Sequence, residues 1–167
     1  MTVSSAPKSG KSIVLVGLMG AGKTIVGRKL AEKLSMTFTD TDEEIAKAAG
    51  CSIEDIFEDY GQDAFRDVEE RVISRLLDDK PKVLATGGGA FMNSRTRSLI
   101  SERGISVWLR AELDVLVKRT QRRGGRPLLK NKDPRATLQQ LIIEREPVYA
   151  EADIIIDGEL DEPEWQQ

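Results

Sequence analysis

Short apolar runs rich in β-branched residues recur along the chain, at residues 12–16, 37–39, 82–85, 106–109 and 153–156. Stretches with helical period lie between them. Val26, Leu30 and Leu34 mark one; Phe65, Val68, Val72 and Leu76 mark a second; Leu138, Leu141, Ile142 and Tyr149 mark a third. Each run predicts a strand and each periodic stretch an amphipathic helix. Strands that alternate with helices predict βαβ units, hence an α/β fold with a parallel sheet and helices on both faces.

One segment breaks the alternation. Residues 121–132 read QRRGGRPLLKNK, a basic stretch with a Gly-Gly pair and little periodicity. Asp133-Pro134 follows and reads as an N-cap with proline at the first helical position. A mobile loop, a lid over about residues 121–133, is therefore expected between two helices. Residues 1–11 are small and polar and read as a flexible tail, which leaves residues 12–167 as a single domain without internal repeats.

Composition narrows the chemistry. The 167 residues are 40% hydrophobic and 32% charged, the balance of a soluble globular domain. No apolar run is long enough to span a membrane, and no signal-peptide core precedes the first strand, so a cytoplasmic place is expected. A net charge of −3 and an aromatic content of 5% argue against a nucleic-acid partner. The single cysteine, Cys51, excludes an internal disulfide and reads as a small, partly buried helix residue. Histidine is absent, so proton transfer falls to Asp, Glu, Lys, Tyr or the substrate itself.

Gly17-Leu18-Met19-Gly20-Ala21-Gly22-Lys23-Thr24 fits G-x-x-x-x-G-K-[ST], between an apolar strand and an amphipathic helix. Glycines there let backbone N–H groups curl around phosphate oxygens, and the helix N-terminus adds partial positive charge. Lys23 is placed to reach the β- and γ-phosphates of a nucleotide, and the Thr24 hydroxyl to ligate Mg²⁺. This loop does not specify what accepts the phosphoryl group.

Three further features bear on the acceptor. Asp40 and Asp42 stand at the carboxyl end of the second strand, where ligands of parallel sheets bind. The pair is either a helix cap or a metal contact plus a proton acceptor. Arg66 borders the apolar stripe of its helix and either pairs with Glu70 four residues on or grips a carboxylate in a cleft. Arg145 shares the inward phase of Leu138, Leu141, Ile142 and Tyr149, so it needs an internal acid or the carboxylate of a ligand. Gly87, Gly88 and Gly89 end the third strand and allow close backbone approach to a ligand. Arg119, Arg122, Arg123 and Arg126 add positive charge in and beside the basic loop, as solvated cations or as charge brought onto a transferring phosphate.

Taken together, the segments GLMGAGKT, FTDTD, FRDVEE, TGGGA, RPLL and EREPVY resemble the shikimate kinase family, in order, over about residues 12–163. The resemblance implies a three-layer P-loop fold of the nucleoside monophosphate kinase type, with a five-stranded parallel sheet and a lid. It implies ATP-dependent phosphorylation of the 3-hydroxyl of shikimate, with Mg²⁺, by a chain that works as a monomer. Nucleotide contacts would come from Gly20, Ala21, Gly22, Lys23, Thr24, Arg119, Arg126 and Pro163. Thr24 and Asp40 would lie at the metal. Asp42, Arg66, Gly87, Gly88, Gly89 and Arg145 would bind the acceptor, and Lys23, Asp42 and Arg126 would carry the catalysis. The chain departs from the family pattern in two places: residues 161–167 stand where another helix is usual, and Gly61-Gln62, read as a helix start, replaces Gly-Glu. A related gluconate or nucleotide kinase, or a nucleotide-binding protein without kinase activity, are the competing readings.

Overall fold

The computed structural model describes residues 10–123 and 133–158, and the side chains of Arg122 and Arg123 fall outside that description. In chain order the elements are β1 (Ser12–Val16), α1 (Lys23–Leu34), β2 (Thr37–Asp40), α2 (Thr41–Ala49), α3 (Ile53–Asp78), β3 (Lys82–Ala85), a 3₁₀ turn (Ala90–Met92), α4 (Ser94–Arg103), β4 (Gly104–Arg110), α5 (Leu113–Arg123), α6 (Pro134–Tyr149) and β5 (Ile154–Asp157). The five strands form one sheet in the order β2-β3-β1-β4-β5, and every pairing is parallel.

The expected alternation is present, and the differences lie at the edges of elements. β4 begins at Gly104 rather than Ser106, because Gly104 pairs with Ser12 directly after α4. β2 extends to Asp40, whose partner is Ala85. β5 runs from Ile154 to Asp157, one residue later than its apolar run. Residues 121–123 are helical, so the aperiodic segment starts no earlier than Gly124. Cys51 lies in a bend between α2 and α3, partly buried against the core, and not in a helix. Gly61 sits inside the span of α3 with φ 87° and ψ 175°, a kink that divides this 26-residue helix after Tyr60.

β1 and β3 are buried along their full length, and β4 is buried over most of its own. Strands flanked on both sides and covered on both faces read as continuous apolar runs rather than alternating ones. Under the right-handed crossover rule, only the β1-to-β2 connection turns back along the sheet, so α1 covers one face and the later helices the other. α1 accordingly packs on β1 and β3, and α4 packs on β4 and α3. The core is a single cluster that includes Val14, Leu15, Ile73, Leu84, Ile100, Leu116, Leu138 and Tyr149. Burying a side chain of this size contributes roughly 1.5–3 kcal/mol each. Asp133 caps α6 as its sequence predicts, with a carboxylate oxygen that accepts from the Arg135 N–H at 3.1 Å. Among the described residues no helix is long and apolar enough to cross a membrane.

Candidate active site

The carboxyl ends of β1, β2 and β3 open into one cleft. It is lined by Met19, Gly20, Ala21, Gly22, Lys23, Thr24, Asp40, Asp42, Ala85, Thr86, Gly87 and Gly88. β1 feeds the phosphate loop, which closes a turn through the Ala21 N–H and the Leu18 carbonyl at 3.1 Å. Gly20 and Gly22 adopt φ +86° and +95°, a region that side chains with a Cβ rarely enter, so only glycine holds this curl without strain. Gly22 is the N-cap of α1, and the helix begins at Lys23. The Lys23 ammonium donates to the Gly17 carbonyl and, at 3.1 Å, to that of Leu18. Arg119, half-buried on α5, donates to the Gly20 carbonyl at 3.1 Å, and a Cβ on Gly22 would lie 3.4 Å from its guanidinium. The arginine expected beside the nucleotide thus rests against the phosphate loop itself.

Of its two sequence readings the acidic pair shows the cap, and both acids also face the cleft. Asp40 caps α2, with Oδ1 accepting from the Asp42 N–H at 2.9 Å, and it also lines the cleft beside Thr24. Asp42 opens α2 and lines the same wall. Among the described residues no cluster of three or more Cys, Asp or Glu could hold a metal ion on its own. Two oxygen ligands, Thr24 and Asp40, suit a Mg²⁺ that completes its shell with phosphates and water.

Beyond the acids the same cleft meets a cluster of buried charged groups. A Cβ on Gly87 would meet Asp42 Oδ1 at 2.9 Å and Glu69 Oε2 at 3.4 Å. A Cβ on Gly88 would meet Arg145 Nη1 at 3.0 Å and the Met19 backbone nitrogen at 3.7 Å. Gly89 stands farther off, with its ideal Cβ 3.8 Å from Arg145 Nη2. One glycine run therefore touches the acids, the buried arginine and the phosphate loop, and a Cβ at Gly87 or Gly88 would push a charged side-chain end aside.

Arg145 is 8% exposed, and its Nη1 finds no hydrogen-bond partner among the described residues. Arg66 is half-buried and acts electrostatically on Glu69, as Arg145 does. The surface pair of Arg66 with Glu70 is replaced: Glu70 receives both donors of Arg95 on α4, at 2.8 and 3.2 Å.

Two residues of this pocket were not singled out in the sequence. Glu69 is 3% exposed, and its Oε2 has no hydrogen-bond partner. Burial pushes its carboxyl up from an ordinary 4.5 to about 8; Asp42 adds to the rise, while Arg66 and Arg145 oppose it. Tyr149 donates its hydroxyl to the Gly88 carbonyl. Burial pushes its phenol up to about 12 against the pull of Arg145. Signals for both exist. Glu69 shares the helical phase of Phe65, Val72 and Leu76, and Tyr149 stands four residues after Arg145. The expected contributions of Arg126, Pro163 and most of the segment 121–133 fall outside the described residues.

A family model for shikimate kinase matches residues 19–166. The shikimate kinase of Brucella abortus strain S19 is 56% identical over 144 residues, 86% of this chain and 72% of that protein. That of Nitrobacter winogradskyi is 52% identical over 155 residues, 93% of this chain and 72% of that protein. A solved structure of shikimate kinase from Acinetobacter baumannii in complex with shikimate superposes with a TM-score of 0.87 at 41% identity, covering 93% of this chain and 89% of that one.

Proposed function

The chain belongs to the shikimate kinase family, and from that membership we infer how the cleft transfers the γ-phosphoryl group of ATP to the 3-hydroxyl of shikimate. The observation that carries the assignment is the run Gly87–Gly88. It puts a buried arginine without a hydrogen-bond partner on one Nη beside the phosphate-loop backbone, with two carboxylates alongside. Such a pocket fits a small anion that also offers a hydroxyl.

Each residue takes one task in this reading. Backbone N–H groups of Gly20, Ala21 and Gly22 face the phosphate oxygens, and Lys23 exchanges its loop carbonyls for the β- and γ-phosphates. Arg119 supports the loop and flanks the base. Thr24 and Asp40 would hold Mg²⁺, which neutralises developing charge on the phosphates. Arg66 and Arg145 grip the substrate carboxylate, and the glycines let the ring lie against the backbone. Asp42 binds the attacking hydroxyl and orients it or takes its proton. A bond forms from that oxygen to the γ-phosphorus, the bridge to the β-phosphate breaks, and ADP leaves. Catalysis is mostly positioning and charge stabilisation. Use of ATP supports a cytoplasmic place.

The test is ADP release by the full chain with Mg-ATP, with and without shikimate. Release that depends on shikimate is expected. Shikimate-independent release, or release only with gluconate or a nucleotide acceptor, would overturn the assignment.

A further inference from the structure

The two halves of the cleft grow from different strands. The phosphate loop follows β1, and the Gly87–Gly88 run follows β3. Transfer needs the attacking oxygen and the γ-phosphorus in line, so the offset between these two strand ends sets the reaction geometry. The paired register of β1 and β3 ends at Leu15 and Ala85. One residue further, Thr86 binds back across the join. Its backbone N–H donates to the Leu15 carbonyl at 3.2 Å, and its hydroxyl donates to the same oxygen at 2.7 Å. The N–H bond continues the ladder; the hydroxyl bond is an addition to it, on the second lone pair. Thr86 is 3% exposed and lies on the cleft wall between Ala85 and Gly87. Valine would fill that place without a polar atom to satisfy, so sheet formation alone does not account for threonine. Leu15 stands two positions before Gly17, the first residue of the phosphate loop. Past the join, an ideal Cβ on Gly88 would lie 3.7 Å from the Met19 nitrogen and 3.8 Å from the Gly17 carbonyl oxygen. The donor and acceptor segments thus run side by side from one shared anchor.

We propose that Thr86 is a positioning residue for phosphoryl transfer, whose hydroxyl locks the root of the glycine run to the root of the phosphate loop and so fixes the distance between donor and acceptor. The inference rests on the assignment of the cleft above and adds the residue that holds its two halves in register. Its effect is confined to the step that needs both substrates at once. The nucleotide meets the loop that follows β1, and the acceptor meets groups around the run that follows β3. A small shift of one strand end against the other leaves each of these sites whole and misplaces one reactant relative to the other.

The experiment compares Thr86→Val, Thr86→Ala and Thr86→Ser with wild type, all as the full chain, by steady-state ADP release and by calorimetric binding of Mg-ATP and of shikimate separately. Valine sets a methyl where the hydroxyl lies 2.7 Å from the Leu15 oxygen, so the join must open by about 0.7 Å to reach ordinary contact. A misplacement of 1 Å can cost about a hundredfold, so kcat should fall roughly 20- to 30-fold. Alanine removes the link without pushing the strands apart, and its kcat should fall roughly 3- to 10-fold. Serine keeps the hydroxyl and should restore kcat to within about twofold. The two separate dissociation constants should stay within about threefold of wild type in all three variants. An unchanged kcat in Thr86→Val and Thr86→Ala would overturn the inference. Weaker binding of either substrate alone, in proportion to the loss of rate, would overturn it too, since Thr86 would then be a contact or a support of the fold. A serine variant as slow as the alanine variant would show that the hydroxyl is not the agent. Absence of shikimate-dependent release in the wild type would instead remove the assignment of the cleft, and the inference with it.

Discussion

Replacing Gly87 with alanine isolates the geometry of the acceptor site from the stability of the fold. The new methyl would lie 2.9 Å from Asp42 Oδ1, whereas ordinary contact starts near 3.4 Å, and it would meet Glu69 Oε2 at 3.4 Å without clash. The Asp42 carboxylate must therefore withdraw by about 0.5 Å. Gly87 is not among the glycines with positive φ, so alanine brings no backbone strain. The cost falls on one short side chain that meets the attacking hydroxyl. A displacement of 1 Å can cost about a hundredfold in rate, so half of that predicts a fall in kcat of roughly 10- to 30-fold. In barrier height this is about 1.4–2 kcal/mol. Saturating both substrates in the ADP-release assay reads kcat directly, and a thermal melt should place Tm within about 3 °C of wild type. A kcat within twofold of wild type would refute the reasoning, because Asp42 would then tolerate a move that the contact requires. A large fall in Tm with the same loss of rate would refute it from the other side, by assigning the effect to folding.

Other perturbations separate the remaining roles. Arg145→Ala should raise the KM for shikimate by about a hundredfold, the loss of a charge-assisted contact worth roughly 2–3 kcal/mol. Its KM for ATP should stay within threefold, so equal losses for both substrates in steady-state kinetics would count against a carboxylate grip. Asp42→Ala should lower kcat by at least about a hundredfold, with ATP binding by calorimetry retained; near-normal turnover would exclude its role at the hydroxyl. Tyr149→Phe leaves the Gly88 carbonyl without its donor. That loss should cost about 1–3 kcal/mol, read as a Tm lowered by roughly 2–4 °C per kcal/mol.

The strands were legible because four of the five runs are strongly apolar and bounded by polar turns, and the phosphate loop was legible because its spacing is rigid. The strand order was not. Nothing local in residues 12–16 says that β3 and β4, rather than β2, lie beside them; long-range pairing decides that. The acceptor pocket was legible in part. Arg145 showed itself as a charge on an apolar phase, and the helix agrees by burying it. Arg66 was ambiguous because its i+4 neighbour Glu70 offered a partner, and only the tertiary approach of Arg95 from α4 removes that option. Glu69 sits in the inward phase, yet beside a second glutamate the sequence leaves open which of the two turns inward. Gly61 read as a helix start, and its φ of 87° and ψ of 175° place it at the kink from which the second segment of α3 begins.

The arrangement β2-β3-β1-β4-β5 also governs how the chain acquires its structure. β1 leaves the ribosome first, yet both of its neighbours come much later: the Ser12 hydroxyl accepts from the Lys82 N–H across 70 positions, and β4 starts only at Gly104. This apolar strand must therefore wait, unpaired, until β3 emerges about 70 residues later. Closing such long loops precedes any reward from contacts, which slows folding and prolongs exposure of hydrophobic segments. Early synthesis is thus the stage at which an apolar strand stays exposed longest, and substitutions that speed α1 or α3 formation should raise yield in cells without altering the finished enzyme.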